Sequence, residues 1–95
     1  MARRRHLIAY DISDPTRLRR VCKVMEAYGE RLQYSVFLCD LSPLERSQWR
    51  TDIHDQMNYG EDSVVIIDMG PLHSCAEVTT LGVPRRLPAP GSLVL

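Results

Sequence analysis

Two carboxylates, Asp11 and Asp14, close an apolar run in LIAYDISDPTRLRR, and four cations, Arg17, Arg19, Arg20 and Lys23, follow them directly. A carboxylate is what a hard divalent cation such as Mg²⁺ takes from a protein, completing its octahedron with waters and substrate phosphates. Neighbouring Arg and Lys side chains neutralise the phosphates of a nucleic-acid backbone. These are the residue types that metal-assisted phosphodiester hydrolysis uses, a carboxylate for the ion, cations for the phosphates and a hydroxyl such as that of Ser13 as a further ligand or to orient a water. Each residue also has a plainer reading. Asp11 accepts hydrogen bonds from loop amides, Asp14 caps a helix, and the cations form a solvated helix face. Asp68 repeats the strand-end pattern on a later apolar run, in an acidic stretch. His6, His54 and His73 are scattered, as packing or surface residues are.

The elements that position these groups follow from turn chemistry and periodicity. HLIAYDIS, 6 to 13, reads as a central strand buried on both faces. Asp14-Pro15 starts a helix, with Asp as N-cap and proline at the first helical position. Leu18, Val21, Cys22, Met25 and Tyr28 make its core stripe, and Gly29 is its expected C-terminal cap. The four cations then flank the stripe or face away from it. Residues 29 to 42 read as two short strands reversing near Tyr34-Ser35. Ser42-Pro43-Leu44-Glu45 is a capping box opening a second helix, with Trp49, Ile53 and Met57 inward and its end near Asn58 to Gly60. SVVIIDM, 63 to 69, is a strand rich in β-branched residues.

This order predicts an α+β, ferredoxin-like βαββαβ sandwich with an antiparallel sheet and an extra C-terminal strand at SLVL. With both helices on one face, the other sheet face is apolar and bare, which predicts a homodimer. The terminal strand, reached through a proline-rich arm, is expected to add to the partner's sheet edge. The chain is read as one domain over 1–95, with its core at about 6–70 and an arm over 71–95.

Ninety-five residues lie near the lower size limit for a core without staples. Ordinary hydrophobic and charged content excludes disordered, collagen-like and membrane classes. Cys22, Cys39 and Cys75 form no C-x-x-C pair and read as reduced, with Cys22 and Cys39 in the core. The apolar run before Asp11 is too short for a signal peptide or membrane span, so a cytoplasmic location and no membrane partner are expected. Net charge is zero, yet residues 1 to 31 carry eight cations against four anions, while residues 32 to 84 carry two against eight. A basic end and an acidic end are therefore expected. Arg3, Arg4 and Arg5 are candidates to extend the basic patch, and Arg85 and Arg86 to extend it or meet a protein partner. No aromatic stripe accompanies the cations, so backbone contact rather than base reading is indicated.

The pairing of Y-D-I at Tyr10 to Ile12 with G-x-R-x-Q-x-S-V-F at Gly29 to Phe37 resembles CRISPR-associated protein two, the small dimeric subunit of spacer acquisition. The resemblance covers residues 6 to about 70. It implies a ferredoxin-like homodimer, described both as a metal-dependent nuclease on RNA or DNA and as a scaffold between subunits of the integrase, CRISPR-associated protein one. By the same resemblance Asp11 is the Mg²⁺ ligand and catalytic residue, one from each protomer across the two-fold axis. Arg20 and Arg31 occupy basic family positions, and Tyr10, Ser13 and Phe37 are supporting. Leu18 stands where the family is usually basic, and Leu38 where it is often acidic.

The expected function is therefore a subunit of CRISPR spacer acquisition. It binds duplex nucleic acid through Arg17, Arg19, Arg20, Lys23 and Arg31 and cleaves phosphodiesters with Mg²⁺ at paired Asp11. The contrasting expectation is a non-catalytic DNA-binding scaffold for the integrase. A third is a small-molecule regulatory domain on the same fold, which would not need the arginine ridge.

Overall fold

The computed structural model describes residues 2–83. Its elements are β1 (Arg4–Asp11), α1 (Pro15–Tyr28), β2 (Glu30–Gln33), β3 (Val36–Leu41), α2 (Pro43–Gln56) and β4 (Ser63–Pro71), followed by a 3₁₀ turn at Leu72–Ser74. The βαββαβ order is the expected one. All neighbours in the sheet are antiparallel, in the order β2-β3-β1-β4. The expected terminal strand at SLVL, and Arg85 and Arg86, lie outside the described residues.

Both helix starts follow the sequence chemistry. Asp14 accepts a hydrogen bond from the Arg17 amide at 2.9 Å. In α2, Ser42 Oγ accepts from the Glu45 amide at 3.2 Å while the Glu45 carboxylate accepts from the Ser42 amide at 2.9 Å, closing the capping box. The α1 stripe differs from expectation at its start. Val21 and Met25 are buried, whereas Leu18 is 40% exposed.

Gly29 ends α1 for a reason other than the expected left-handed cap. Its φ is −165°, extended backbone open to any residue. What excludes a side chain is close approach: a Cβ would collide with the Leu38 carbonyl oxygen and Cys39 Sγ on β3.

β1 begins and ends two residues earlier than expected, leaving Ile12 and Ser13 in the loop before α1. It is buried on one face only, since alternation sends His6, Ile8 and Tyr10 toward the helices and Leu7, Ala9 and Asp11 away. The covered face meets Val21, Met25, Trp49 and Ile53 together with Phe37, Cys39 and Leu41 of β3. Trp49 Nε1 donates to Met25 Sδ across the helix pair, and Tyr28 donates its hydroxyl to Asp52 at 2.7 Å. Burial pushes the Cys39 thiol up to about 12, so it stays a neutral packing group. The uncovered face carries Leu7 between Leu38 and Ile67, and Ala9 between Val36 and Val65. Val65 and Ile67 are half exposed.

The segregation of charge along the sequence does not survive folding. Arg3 pairs with Glu45, Arg4 with Asp68 and Arg5 with Asp40, each at 2.8–2.9 Å. Antiparallel pairing lays the start of β1 against the ends of β3 and β4, where Asp40 and Asp68 sit, while Glu45 meets Arg3 from the first turn of α2. Arg3 to Arg5 thus do not extend a basic patch beside Asp11, which lies at the other end of β1, about 23 Å away at strand rise.

Gly29→Ala is expected to destabilise the protein by roughly 1–3 kcal/mol in urea unfolding, since backbone must shift to admit the methyl. The Arg3 guanidinium, and then the Ser42 amide, hold the Glu45 carboxyl down to about 2 from 4.5. Folding lowers this pKa, so its stabilisation is complete above about 4.5 and is lost as pH falls toward about 2. Glu45→Gln should flatten the stability profile across that window, and less so in high salt.

Candidate active site

Asp11 ends β1 opposite Ser63, on the sheet face that the helices leave bare. Its side chain is exposed, and among the described residues nothing donates a hydrogen bond to it. The loop-amide reading of Asp11 therefore has no bond to support it. Asp14 is the N-cap of α1, as its plainer reading has it.

Two residues beyond Asp11 the loop is anchored to a carboxylate that sequence reasoning missed. Asp62 immediately precedes β4, and its side chain has no exposed surface. Its Oδ1 accepts from the Ser13 amide at 3.0 Å, Ser13 Oγ at 3.2 Å and Arg17 Nη2 at 3.1 Å. Its Oδ2 accepts from Arg17 Nε at 2.9 Å and the Asn58 amide at 2.8 Å. Arg17, then the Asn58 and Ser13 amides, hold this carboxyl well below the usual carboxylate range against the opposing effect of burial. Arg17 Nη2 also reaches Glu61 at 2.9 Å and Ser13 Oγ at 3.2 Å. Arg17 is thereby tied into the fold rather than displayed. The only sequence signal for Asp62 was a carboxylate at the foot of a strand; its main partner is 45 positions away.

The remaining cations divide. Arg19, Arg20 and Lys23 are exposed and form no salt bridge among the described residues; Arg19 touches only Thr16. Arg19 and Lys23 are four apart and Arg20 and Lys23 three, so they share a helix face. Arg31 is not brought to that ridge. Its guanidinium lies 5.2 Å from the Phe37 ring centroid and contacts Cys22 Sγ. Phe37 is fully buried, and Tyr34 is exposed. Tyr10 is buried and donates its hydroxyl to the Tyr34 carbonyl at 3.1 Å, while its amide donates to the Ser35 carbonyl at 3.0 Å. Burial keeps that phenol protonated at neutral pH, so Tyr10 fastens the β2–β3 turn to β1 rather than acting as a base. Asp68 is held by Arg4.

No group of three or more His, Cys, Asp or Glu side chains among the described residues could enclose a metal ion. One open carboxylate does fit Mg²⁺, which keeps several waters and takes its other ligands from substrate phosphates. Asp11 offers both oxygens unencumbered. Ser13 Oγ is already engaged with Asp62 and Arg17, so it is a brace for the loop rather than a ready ligand.

These features define a small ferredoxin-like domain that displays an unpaired carboxylate at the end of a central strand and, on the helix that follows, three cations unpaired among the described residues. The family model described as CRISPR associated protein Cas2 matches residues 4–72, and the chain belongs to that family. A CRISPR-associated endoribonuclease Cas2 of Synechocystis sp. is 32% identical over 90 residues, spanning 95% of this chain and 97% of that protein. A crystal structure of a hypothetical protein from Thermus thermophilus superposes with a TM-score of 0.75 at 33% identity, covering 86% of this chain and 94% of that one. That of Cas2 from Streptococcus pyogenes gives 0.63 at 31% identity, covering 66% and 82%. The expected family and fold are both found. No helix among the described residues is long and apolar enough to cross a membrane.

The two arginine environments are separable by thermal unfolding. Arg17→Ala strips the buried Asp62 carboxylate of two donors and should clearly lower the midpoint. Arg19→Ala should stay within about 0.5 kcal/mol of the parent.

Proposed function

We propose that the protein is a metal-dependent nuclease of the CRISPR adaptation machinery, holding nucleic acid by its phosphates and hydrolysing phosphodiesters at Asp11. The observation that carries this reading is the contrast among carboxylates. Asp40, Glu45, Asp62 and Asp68 are each neutralised by an arginine, while Asp11 stands exposed with no such partner among the described residues, and Arg19, Arg20 and Lys23 of the helix that follows it are exposed and unpaired too. Relatives named endoribonucleases support the activity and favour RNA as substrate. Bound at Asp11, Mg²⁺ would polarise a phosphodiester oxygen and supply a water of lowered pKa. Asp11 holds it at a rigid strand end; the helix cations take the phosphates flanking the scissile one. The basic helix reads no base edge, so affinity there is independent of sequence.

The bare sheet face supports a homodimer. Leu7, Ala9, Val36, Leu38, Val65 and Ile67 form one apolar surface, and strand alternation puts Asp11 on the same side. A second copy covering that face would bring its own Asp11 to the same side of the assembly, giving the paired carboxylates that a thin single-ligand site calls for. A second reading keeps the surface and drops the chemistry. In it the dimer is a duplex-DNA platform for the CRISPR-associated protein one integrase in spacer acquisition, favoured by the absence, among the described residues, of any group of three or more His, Cys, Asp or Glu side chains that could hold a metal ion.

Cleavage of RNA and of duplex DNA, in Mg²⁺ and in EDTA, distinguishes the two. Asp11→Ala should lower the Mg²⁺-dependent rate at least about a hundredfold, as loss of a metal's charge stabilisation implies, with duplex affinity retained. Equal rates in parent and variant would leave only the platform. Replacing Arg19, Arg20 and Lys23 together by glutamine should reduce the slope of log affinity against log salt by about 3. An unchanged slope would place the phosphates elsewhere.

A further inference from the structure

We propose that Asp62 is a positioning residue for Asp11: its buried carboxylate clamps the turn that follows Asp11 to the foot of β4, and so sets where the Asp11 side chain stands. This rests on the reading of Asp11 as the metal-holding carboxylate and adds to it the residue that holds Asp11 in place.

The clamp works at short range. Asp11 lies opposite Ser63, so Asp62 is one residue from Asp11's own strand partner. On the other side, Ser13 is two residues past Asp11 and gives Asp62 Oδ1 both its amide and its hydroxyl. The turn between these anchors consists of Ile12 alone, which is itself buried. Asp11 is therefore pinned by strand pairing before it and by the Asp62 carboxylate after it. Arg17, four residues further on, closes the same carboxylate from the first turn of α1, and the Asn58 amide closes it from the end of α2. Five donors converge on one side chain, from the β1–α1 turn, from α1 and from the α2–β4 connection. Asp11 itself contributes nothing to this network, which leaves its oxygens free while its backbone is fixed. A reacting group displaced by about 1 Å can cost a hundredfold in rate, so a clamp two residues away has leverage on the chemistry without touching substrate.

Asp62→Asn is the informative variant. It preserves shape, but its amide nitrogen is a donor set against the Asn58 amide and Arg17 Nε, which are also donors. The turn should loosen while the sheet and helices persist. Three readouts are taken on the full chain: kcat and KM for Mg²⁺-dependent RNA cleavage, the backbone NMR shifts of Asp11, Ile12 and Ser13, and hydrogen exchange of the Ser13 amide. We expect kcat to fall about tenfold or more with KM nearly unchanged, because the helix cations that hold RNA are untouched. The Asp11 to Ser13 shifts should move and the Ser13 amide should lose protection. Tyr28→Phe, which breaks only the bond to Asp52 between the helices, should lower stability with kcat and the Asp11 shifts at parent values. If Asp62→Asn does not fold, Ser13→Ala removes one of the five donors and should shift kcat and the Asp11 resonance in the same direction by a smaller amount.

A kcat at the parent value in Asp62→Asn, or a fall matched by Tyr28→Phe at equal loss of stability, overturns the proposal. If the parent protein shows no cleavage that Asp11→Ala abolishes, the nuclease reading has failed by itself. The NMR arm then decides the clamp: displaced Asp11 and Ile12 resonances uphold it, and unmoved ones overturn it.

Discussion

A buried carboxylate must be matched by donors or it costs the fold more than any packing contact returns, and Asp62 is the place where this protein meets that demand. Its five donors come from the loop before α1, from α1 itself and from the end of α2. They converge where β1 ends and β4 begins, and they tie together the β1–α1 and α2–β4 connections that strand pairing alone does not hold. Removing Arg17 takes away the only cation paired with this buried charge among the described residues, which makes it the partner the network depends on most. The network is also the reason that Arg17, the first cation of the basic run, belongs to the architecture and not to the displayed surface.

Function follows from what that commitment leaves over. Arg3, Arg4 and Arg5 are consumed at one end of β1 and Arg17 at the other, while Arg31 lies against Phe37 and Cys22. Arg19, Arg20 and Lys23 remain on one helix face. A zero net charge thus conceals a local surplus of cations on the helix that follows Asp11, a carboxylate that no arginine neutralises among the described residues. This is the distribution expected of a domain that meets phosphates at one place, and it accords with membership of the Cas2 family.

Local signals in the sequence carried over well. The Asp14 and Ser42 caps, the Glu45 return bond, the turn at Tyr34-Ser35 and the element order all rest on neighbours within a few residues, where residue chemistry decides geometry. Long-range pairing was less legible. The first three arginines read as an extension of a basic patch, but the fold sets Arg4 and Arg5 against Asp68 and Asp40 through the sheet register and Arg3 against Glu45 at the start of α2. Arg17 looked like its helix neighbours because its partner is 45 residues distant. Gly29 was recognised as a helix terminator, but its true constraint, contact with Leu38 and Cys39 on β3, exists only once the strand is in place. Of the candidate site, Asp11 and the three displayed cations could be named in advance; Asp62, which holds the turn after Asp11, could not.

The most direct test of the account is to map where a divalent cation binds by adding Mn²⁺ to the ¹⁵N-labelled protein and following paramagnetic broadening residue by residue. The account predicts broadening centred on Tyr10 to Ser13 and on Ser63 across the strand pair, lost in Asp11→Asn and competed by Mg²⁺. Broadening centred on Asp52 and Asp55 or on Glu61, or persisting in Asp11→Asn, would contradict it.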